Sequence, residues 1–145
     1  MPGIEPKREP AGFEATRDAL DSGRYDFGAS NFAVTDERRE TIDFATRIND
    51  GQGFATRKDS RPTKITDLAQ PCGLNVATDA GATFEATPEE NAHACPDADR
   101  KAYKMRTHNE QGANRSSLQQ GRSDIAMSTI NGLRYAVTRQ QGVRF

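Results

Sequence analysis

Arg38 is the side chain in this sequence best suited to chemistry, and it lies in the segment TDER, residues 35–38. Thr35 is a favourable N-cap, which predicts a helix that begins after it and carries Arg38 in its first turn. The free N–H groups and the dipole of a helix start favour an anion, and a guanidinium adds a bidentate, charge-assisted pair to a carboxylate. Alternatively, Arg38 pairs with an acidic neighbour such as Glu37 or Glu40 on a solvated helix face.

Two cysteines and two histidines also carry reactive groups. Cys72 and Cys95 lie 23 residues apart without a CxxC motif, and His93 is the only histidine near them. Because a zinc site needs about four ligands, no metal site is predicted. From the residues alone, the two cysteines form either a disulfide or two free thiols. A disulfide would raise the free energy of unfolding by about 3 kcal/mol in the chain-entropy model. Neither His93 nor His108 has an acid–base partner at useful spacing, so both are predicted to be exposed.

Composition narrows the classes of function. The 145 residues carry a net charge of −1 with no basic block, which gives no electrostatic footprint for nucleic acid. Apolar runs are short and no signal-peptide pattern is visible, so neither a membrane span nor an export signal is predicted. Gly-x-Ser-x-Gly, P-loop and HExxH motifs are absent, so common hydrolase chemistry is unsupported and no cofactor is predicted. With 34% hydrophobic residues, the core is expected to be thin.

Helical and strand patterns alternate along the chain. Helices are predicted at 12–22, 36–44, 65–70, 87–95, 113–120 and 131–141, and strands at 25–30, 53–60, 74–78, 102–107 and 123–129. This alternation predicts an α/β fold with parallel strands. A polar break around Pro62 divides the chain into a first part at 1–55, a crossing segment at 56–62 and a second part at 63–145.

One short pattern, Gly-Arg-x-Asp, occurs at 23–26 and again at 121–124. In each copy a predicted helix ends at the glycine and a predicted strand follows, ending in Ser30 in the first copy and in Ser128 and Thr129 in the second. Ligands of open parallel sheets sit beyond the carboxyl ends of the strands, so two such units predict two lobes facing a cleft. Alternatively, the pattern is only a helix stop and a strand start.

The stretch SGRYDFGASNFAVTDERRETIDF, residues 22–44, resembles the family 3 extracellular solute-binding proteins, which serve ABC importers of polar amino acids. The resemblance continues in order through residues 51–60, 65–69, 72–85 and 120–135 and covers most of 12–135. It implies an α/β, two-lobed, type II periplasmic-binding-protein-like clamshell that closes on a small ligand at its hinge, with GFATRKDS as the crossing strand. It also implies a disulfide between Cys72 and Cys95 in the second lobe.

The same resemblance implies where the ligand binds. Arg38 falls at the family's carboxylate-binding arginine. The full implied ligand-binding set is Arg38, Ser30, Asn31, Ala33, Gly81, Ala82, Thr83 and Thr129. Ala33 stands where relatives often carry a hydroxyl residue, so only its N–H is available. Thr129 stands where amino-acid binders usually place the aspartate that receives the ligand ammonium, and Asp79 is an alternative acceptor.

Two departures from the family imply a shortened chain with an incomplete lobe one. The family's N-terminal strand and its return strand to lobe one have no match in this sequence. The resemblance then implies exposed apolar edges at Phe27 and Phe32, which favour a homodimer formed by pairing of such edges.

Taken together, the resemblance implies a solute-binding protein of an ABC importer on the extracellular or periplasmic side of the membrane. Its partners are a small, carboxylate-bearing polar ligand and a transporter permease, and it has no catalytic step. Two other functions stay open. A dehydratase-like enzyme on the same scaffold needs a general acid, for which Asp79 and Glu85 are the candidates. An interaction module or fragment that binds no ligand is consistent with the incomplete lobe one.

Overall fold

The arrangement of helices and strands comes from a computed structural model, which describes residues 3–61, 64–67, 69–85, 94–139 and 143–144. The helices are α1 (Phe13–Asp21), α2 (Asp36–Arg39), α3 (Gln111–Gln119) and α4 (Ile130–Arg139), and a 3-10 turn is formed at Thr83–Glu85. The strands are β1 (Gln52–Arg57), β2 (Asn75–Asp79), β3 (Lys104–His108), β4 (Ile125–Thr129) and β5 (Val143–Arg144). Within the described residues, no helix has the length and apolar character needed to cross a membrane. Most of the helix predicted at 87–95, together with His93, lies outside the described residues.

The five strands named above form one mixed sheet in the order β3-β2-β4-β1-β5. β2 runs parallel to β3 and β4, whereas β1 runs antiparallel to β4 and β5. The central register places Val76 opposite Ile125 and Phe54 opposite Met127. The predicted α/β class is therefore confirmed, but the sheet is mixed rather than parallel, because β1, the core of the predicted crossing strand, joins it antiparallel to β4. The division of the chain at 56–62 stays a prediction.

Apolar layers cover both faces of the sheet. Successive side chains of a strand point to opposite faces, so in β4 Ala126 joins one layer while its neighbours Ile125 and Met127 join the other. The first layer consists of Ala55, Leu118, Ala126 and Leu133, and thus includes one buried leucine from each of α3 and α4. The second layer consists of Val76, Phe84, Ile125 and Met127. The two helices therefore pack on one face of the sheet, and the 3-10 turn packs on the other.

The two Gly-Arg-x-Asp segments form the same helix-ending turn. Gly23 and Gly121 both have a φ of +70°, the left-handed conformation that glycine adopts without strain. The N–H of Gly23 donates to the carbonyl of Leu20 at 3.0 Å, and the N–H of Gly121 donates to the carbonyl of Leu118 at 3.1 Å. The predicted helix stop is confirmed in both copies.

The strand predicted at 25–30 is not formed, so the prediction of two matching sheet units is wrong. A strand needs a neighbour for its N–H and C=O groups, and within the described residues no strand pairs with 25–30. Phe27 is consequently 77% exposed, whereas Ile125, which begins the strand after the second corner, is 0% exposed. The carboxyl ends of β2 and β4 therefore face the loop-rich segment of residues 31–52, and the described residues form no second sheet opposite them.

The helix predicted at 36–44 is shorter than expected and ends at Arg39. Its start is as predicted, because the hydroxyl of Thr35 accepts a hydrogen bond from the N–H of Arg38 at 3.2 Å. Residues 41–43 are two β-branched residues and an aspartate, all of which are weaker helix formers. Only Arg38 is buried in this helix, so packing does not compensate for the poor propensity.

Cys72 and Cys95 are joined by a disulfide, so the pairing implied by the family resemblance is confirmed. Their Cα atoms lie 5.6 Å apart, and Cys95 is buried. The bond connects the turn that precedes β2 to the turn at residues 94–99. Because a cross-link of this kind restricts the unfolded chain, it stabilises a domain with a small core.

Candidate functional site

A cavity of about 430 Å³ lies between the carboxyl ends of β2 and β4 and the segment of residues 31–52, with one wall completed by Phe13 of α1. This volume suits a small-molecule ligand. Six of the eight residues predicted to bind ligand line the cavity: Asn31, Ala33, Arg38, Ala82, Thr83 and Thr129. Their roles in binding stay predictions, but the structure brings them together from three separate parts of the chain.

Arg38 bridges the loop segment and the sheet. Its Nη1 donates to the carbonyl of Ala33 at 2.8 Å, and its Nη2 donates to the carbonyl of Gly81 at 2.7 Å. The residue is only 8% exposed although it borders the cavity. Gly81, the seventh predicted residue, therefore takes part in the site through its carbonyl group, while its own N–H donates to Oε2 of Glu85 at 2.8 Å.

The charge of Arg38 is not compensated by an ion pair in the described part of the chain. No described carboxylate lies within 4.0 Å of its guanidinium, so the alternative of a pair with Glu37 or Glu40 is wrong. Burial lowers the pKa of Arg38, the positive charge of Arg17 lowers it further, and Glu37 acts in the opposite direction. A guanidinium nevertheless stays protonated in proteins, so the cavity contains a buried cation with only neutral partners.

A second bridge joins the loop segment to the sheet on the other side of the cavity. Nδ2 of Asn31 donates to Oδ2 of Asp50 at 2.6 Å and to Oγ1 of Thr129 at 3.0 Å. Oδ1 of Asp50 also accepts from the N–H of Gly51 at 2.9 Å and from the N–H of Asn131, near the start of α4, at 3.2 Å. The carboxylate of Asp50 thus stands beside Thr129, the position at which the family resemblance implied an aspartate.

Asp50 carries a negative charge at neutral pH. Partial desolvation raises the pKa of its carboxyl, but hydrogen bonds from the Asn31 side chain and from the N–H groups of Asn131 and Gly51 outweigh desolvation and leave the pKa below its ordinary value of 3.8. This residue was not predicted from the sequence, because nothing in the segment RINDGQ marks it. Only its contacts with residues far away in the chain place it in the cavity.

Asp79 is a buried carboxylate at the carboxyl end of β2 and also lines the cavity. It is 4% exposed, and its Oδ1 accepts a hydrogen bond from Nδ2 of Asn114 at 3.2 Å. Burial raises the pKa of Asp79, against the hydrogen bond from Asn114 and the fields of Arg115 and His108, which lower it. The side chain that the sequence analysis named as an alternative ammonium acceptor is therefore in the cavity.

Two N–H groups of the turn after β2 are already engaged in hydrogen bonds within the protein. The N–H of Gly81 is engaged by Glu85, and the N–H of Ala82 donates to the carbonyl of Asp79 at 3.2 Å. Thr83 begins the 3-10 turn and lines the cavity, so its side-chain hydroxyl is a donor that a ligand can reach. Gly81 has a φ of +69°, and a Cβ at this position would come within 3.2 Å of Glu14 in α1. Glycine thus allows α1 to approach the turn closely.

Aromatic side chains form the apolar part of the wall. The rings of Phe13 and Phe32 are tilted by 31° with centroids 4.6 Å apart, and Phe84 lines the cavity from the 3-10 turn. None of these side chains was predicted to belong to the site, and Phe32, which was expected at an exposed edge, is half-buried against Phe13. Their position next to the charged groups suits a ligand that has both polar ends and an apolar stem.

Two other residues from the sequence analysis, Ser30 and His108, lie outside this arrangement or differ from expectation. Ser30 is exposed and does not line the cavity. His108 is half-buried rather than exposed, because it ends β3 and pairs with Asp79 of β2; its Nε2 is buried without a hydrogen-bond partner in the described part of the chain. Among the described residues, no group of His, Cys, Asp or Glu has the arrangement needed to hold a metal ion.

The fold and the cavity agree with a comparison against protein families. Residues 2–115 match the model of the bacterial extracellular solute-binding proteins, family 3. The match covers most of the chain, including the loop segment with Arg38 and the strands β1, β2 and β3. The chain belongs to this family. No curated protein matches it.

Solved structures share the fold at low sequence identity. Holo ArgBP from T. maritima has a TM-score of 0.81 at 20% identity, over 97% of this chain and 58% of that one. An ancestral arginine-binding protein bound to glutamine has a TM-score of 0.77 at 23% identity, over 94% of this chain and 57% of that one. A solute receptor for L-cysteine of Neisseria gonorrhoeae has a TM-score of 0.70 at 22% identity, over 88% and 48%. The chain thus has the type II periplasmic-binding-protein fold and spans about half to three fifths of these proteins' length.

Proposed function

We propose that this chain binds a small, carboxylate-bearing ligand of the amino-acid class, as the solute-binding component of an ABC importer. The observation that carries the proposal is the buried guanidinium of Arg38, which borders the cavity with two neutral carbonyls as partners. A buried cation is costly unless an anion accompanies it. The cavity therefore favours a negatively charged group next to Arg38.

In this proposal the ligand carboxylate binds to the guanidinium donors that remain. A guanidinium has five N–H donors. Nη1 donates to the carbonyl of Ala33 and Nη2 to the carbonyl of Gly81, so the other N–H groups of Arg38 are the donors that remain. The hydroxyl of Thr83 adds a donor from the opposite wall, and Ala33 and Ala82 bring their backbones against the ligand. Ser30 does not contact the ligand in this proposal and contributes only as part of the loop that positions Asn31.

The ligand ammonium binds on the other side of the cavity, at Asp50 and Thr129. A hydroxyl alone is a weak acceptor for an ammonium group, which requires a charged partner when it leaves water. Asp50 supplies that charge beside Thr129, because Asn31 donates to both side chains. The aspartate that Thr129 replaces in this family is thereby compensated by a residue from a different segment.

Binding between the loop segment and the sheet favours the closed arrangement, because a ligand that contacts both parts stabilises the state in which they are close. Family membership supports an extracellular or periplasmic location and a permease as partner, and both are part of the proposal. The homodimer stays a prediction as well, supported by the exposed side chain of Phe27.

Isothermal titration calorimetry with L-amino acids tests the proposal. We expect at least one amino acid to bind with 1:1 stoichiometry, and its decarboxylated amine to bind at least about 100-fold more weakly, since two charge-assisted hydrogen bonds are lost. Arg38→Met should weaken binding by a similar factor. Arg39→Met, a change at the exposed neighbour in the same helix, is the matched control and should leave the affinity unchanged.

Two results would contradict the proposal. Absence of binding by every amino acid at millimolar concentration, with a cooperative unfolding transition showing that the protein is folded, would favour the interaction module. Equal affinities for an amino acid and its decarboxylated amine would show that Arg38 does not bind the ligand carboxylate.

An enzyme on the same scaffold is the second candidate, because Asp79 lines the cavity and burial raises its pKa, which is the direction that a general acid needs. The other predicted acid, Glu85, is exposed and occupied by the N–H of Gly81. Conversion of a bound hydroxy or cyclic acid to product, followed by NMR, would establish this function. Recovery of unchanged ligand after prolonged incubation would argue against it.

A further inference from the structure

We infer that Asp79 recognises a second positive charge on the ligand, so that the cavity prefers an amino acid with a cationic side chain to its uncharged isostere. This inference rests on the proposed function. Three ionisable residues line the described cavity, namely Arg38, Asp50 and Asp79. An amino acid with a neutral side chain matches Arg38 and one carboxylate and leaves the other carboxylate unmatched. A ligand with one carboxylate and two cationic groups matches all three.

The two carboxylates occupy separate places in the cavity. Asp50 lies at the exposed rim before β1, where Asn31 joins it to Thr129. Asp79 lies deep, at the end of β2, where it is 4% exposed. Because Asp50 is assigned to the ligand ammonium, Asp79 is the carboxylate left for the rest of the ligand.

A purely structural role does not explain why residue 79 is charged. The carboxylate of Asp79 accepts hydrogen bonds from the side chains of Asn114 and Ser128, and Asn114 also donates to the carbonyl of Met127 at 3.4 Å. An asparagine at position 79 would accept the same bonds without the cost of burying a charge. In the described part of the chain no cation lies within ion-pair distance of Asp79, and the nearest titratable groups that act on it are Arg115 and His108. A cationic ligand group supplies the missing partner.

The apolar wall suits the stem of such a ligand. Phe13, Phe32 and Phe84 line the cavity between the polar groups. Methylene groups of a long cationic side chain pack against aromatic rings, and a guanidinium or ammonium is attracted to the face of a ring. The cavity thus offers both a carboxylate and aromatic surface to such a ligand.

Arginine and citrulline are the matched probes, because they have the same length and differ in a charged guanidinium against a neutral urea. By titration calorimetry at neutral pH, we expect the wild-type protein to bind arginine at least about 10-fold more tightly than citrulline. Asp79→Asn should reduce this ratio to below about 3-fold through loss of arginine affinity. Asp97→Asn, which removes an exposed carboxylate outside the cavity, should leave both affinities unchanged.

The possible failures are distinguishable. Equal affinities for arginine and citrulline in the wild-type protein, or an unchanged ratio in Asp79→Asn, would overturn the inference and leave the proposed function intact. A failure of arginine, citrulline and every neutral amino acid to bind would overturn both. A thermal unfolding curve of Asp79→Asn shows that the variant is folded, so a loss confined to arginine is not explained by misfolding.

Discussion

The corner at Gly23 and the corner at Gly121 turn the chain in the same way, with the same φ and the same hydrogen bond at the end of a helix. After Gly121 the chain enters β4, which lies between β1 and β2 and begins with the fully buried Ile125. After Gly23 it reaches Phe27, which is 77% exposed. The comparison teaches that local sequence decides the turn, whereas a strand forms only where neighbouring strands complete its hydrogen bonds.

The same contrast holds for the regions that contain these corners. In residues 3–51 only Ala19 and Arg38 are buried, while the sheet region carries two apolar layers. The first region is held to the sheet largely by polar contacts, of Arg38 with Gly81 and of Asn31 with Thr129. We therefore expect residues 3–51 to open locally at a lower free energy than the sheet region unfolds.

Truncation of one apolar side chain after each corner gives the largest difference. Ile125→Ala should lower the free energy of unfolding by about 2–5 kcal/mol, because it leaves a cavity in a packed layer. Phe27→Ala should change it by less than about 0.5 kcal/mol, since the side chain is exposed. Urea unfolding measures both. Similar losses in the two variants would show that residues 25–30 are packed after all.

The disulfide comes next in expected effect. A variant with both Cys72→Ala and Cys95→Ala should lose about 3 kcal/mol of unfolding free energy, because the unfolded chain regains the freedom of the closed loop. Since the bond lies within the sheet region, hydrogen exchange in residues 3–51 should change little. The oxidised and reduced wild-type proteins provide the control. Equal melting temperatures for these two forms would contradict the expectation.

Alanine at the two corner glycines compares the regions directly. Both changes force a side chain into a left-handed conformation, which costs about 1–2 kcal/mol, and neither new Cβ meets an atom closer than 3.6 Å. Gly121→Ala should therefore lower the free energy of global unfolding by about 1 kcal/mol. Gly23→Ala should instead accelerate hydrogen exchange in α1 and leave global unfolding almost unchanged. An equal effect of both variants on global unfolding would mean that the two regions unfold as one.

Asp79→Asn should have a modest effect on stability that depends on pH. Burial raises the pKa of Asp79, so the folded state binds its proton more tightly than the unfolded state does. Stability is therefore lost as pH rises from the ordinary carboxyl pKa of 3.8 through the folded pKa, and the loss persists above it. The variant should be more stable than the wild type at pH 7, by an amount on the order of 1 kcal/mol. Thermal unfolding from pH 3 to 8 measures the gain, which should disappear below about pH 3.8. A gain that does not depend on pH would have another cause.

Much of the fold was predictable because it depends on short-range patterns. The cap at Thr35, the helix stops at Gly23 and Gly121 and the strands β1 to β4 follow from residue types within a few positions. The strand at 25–30 failed because its pattern is that of a strand but no partner lies beside it. The candidate site was predictable where the family resemblance marked it, as at Arg38, and not where it depended on contacts alone, as at Asp50.

By itself, the sequence determined where helices end, which segments have strand character and which family the chain resembles, since these depend on side chains near each other along the chain. Only the tertiary structure decided which of those strands find partners and which charges meet in the cavity. Arg38 contacts Gly81 across 43 residues, and Asn31 contacts Thr129 across 98. Contacts over such distances depend on how the whole chain packs, and no local pattern encodes them.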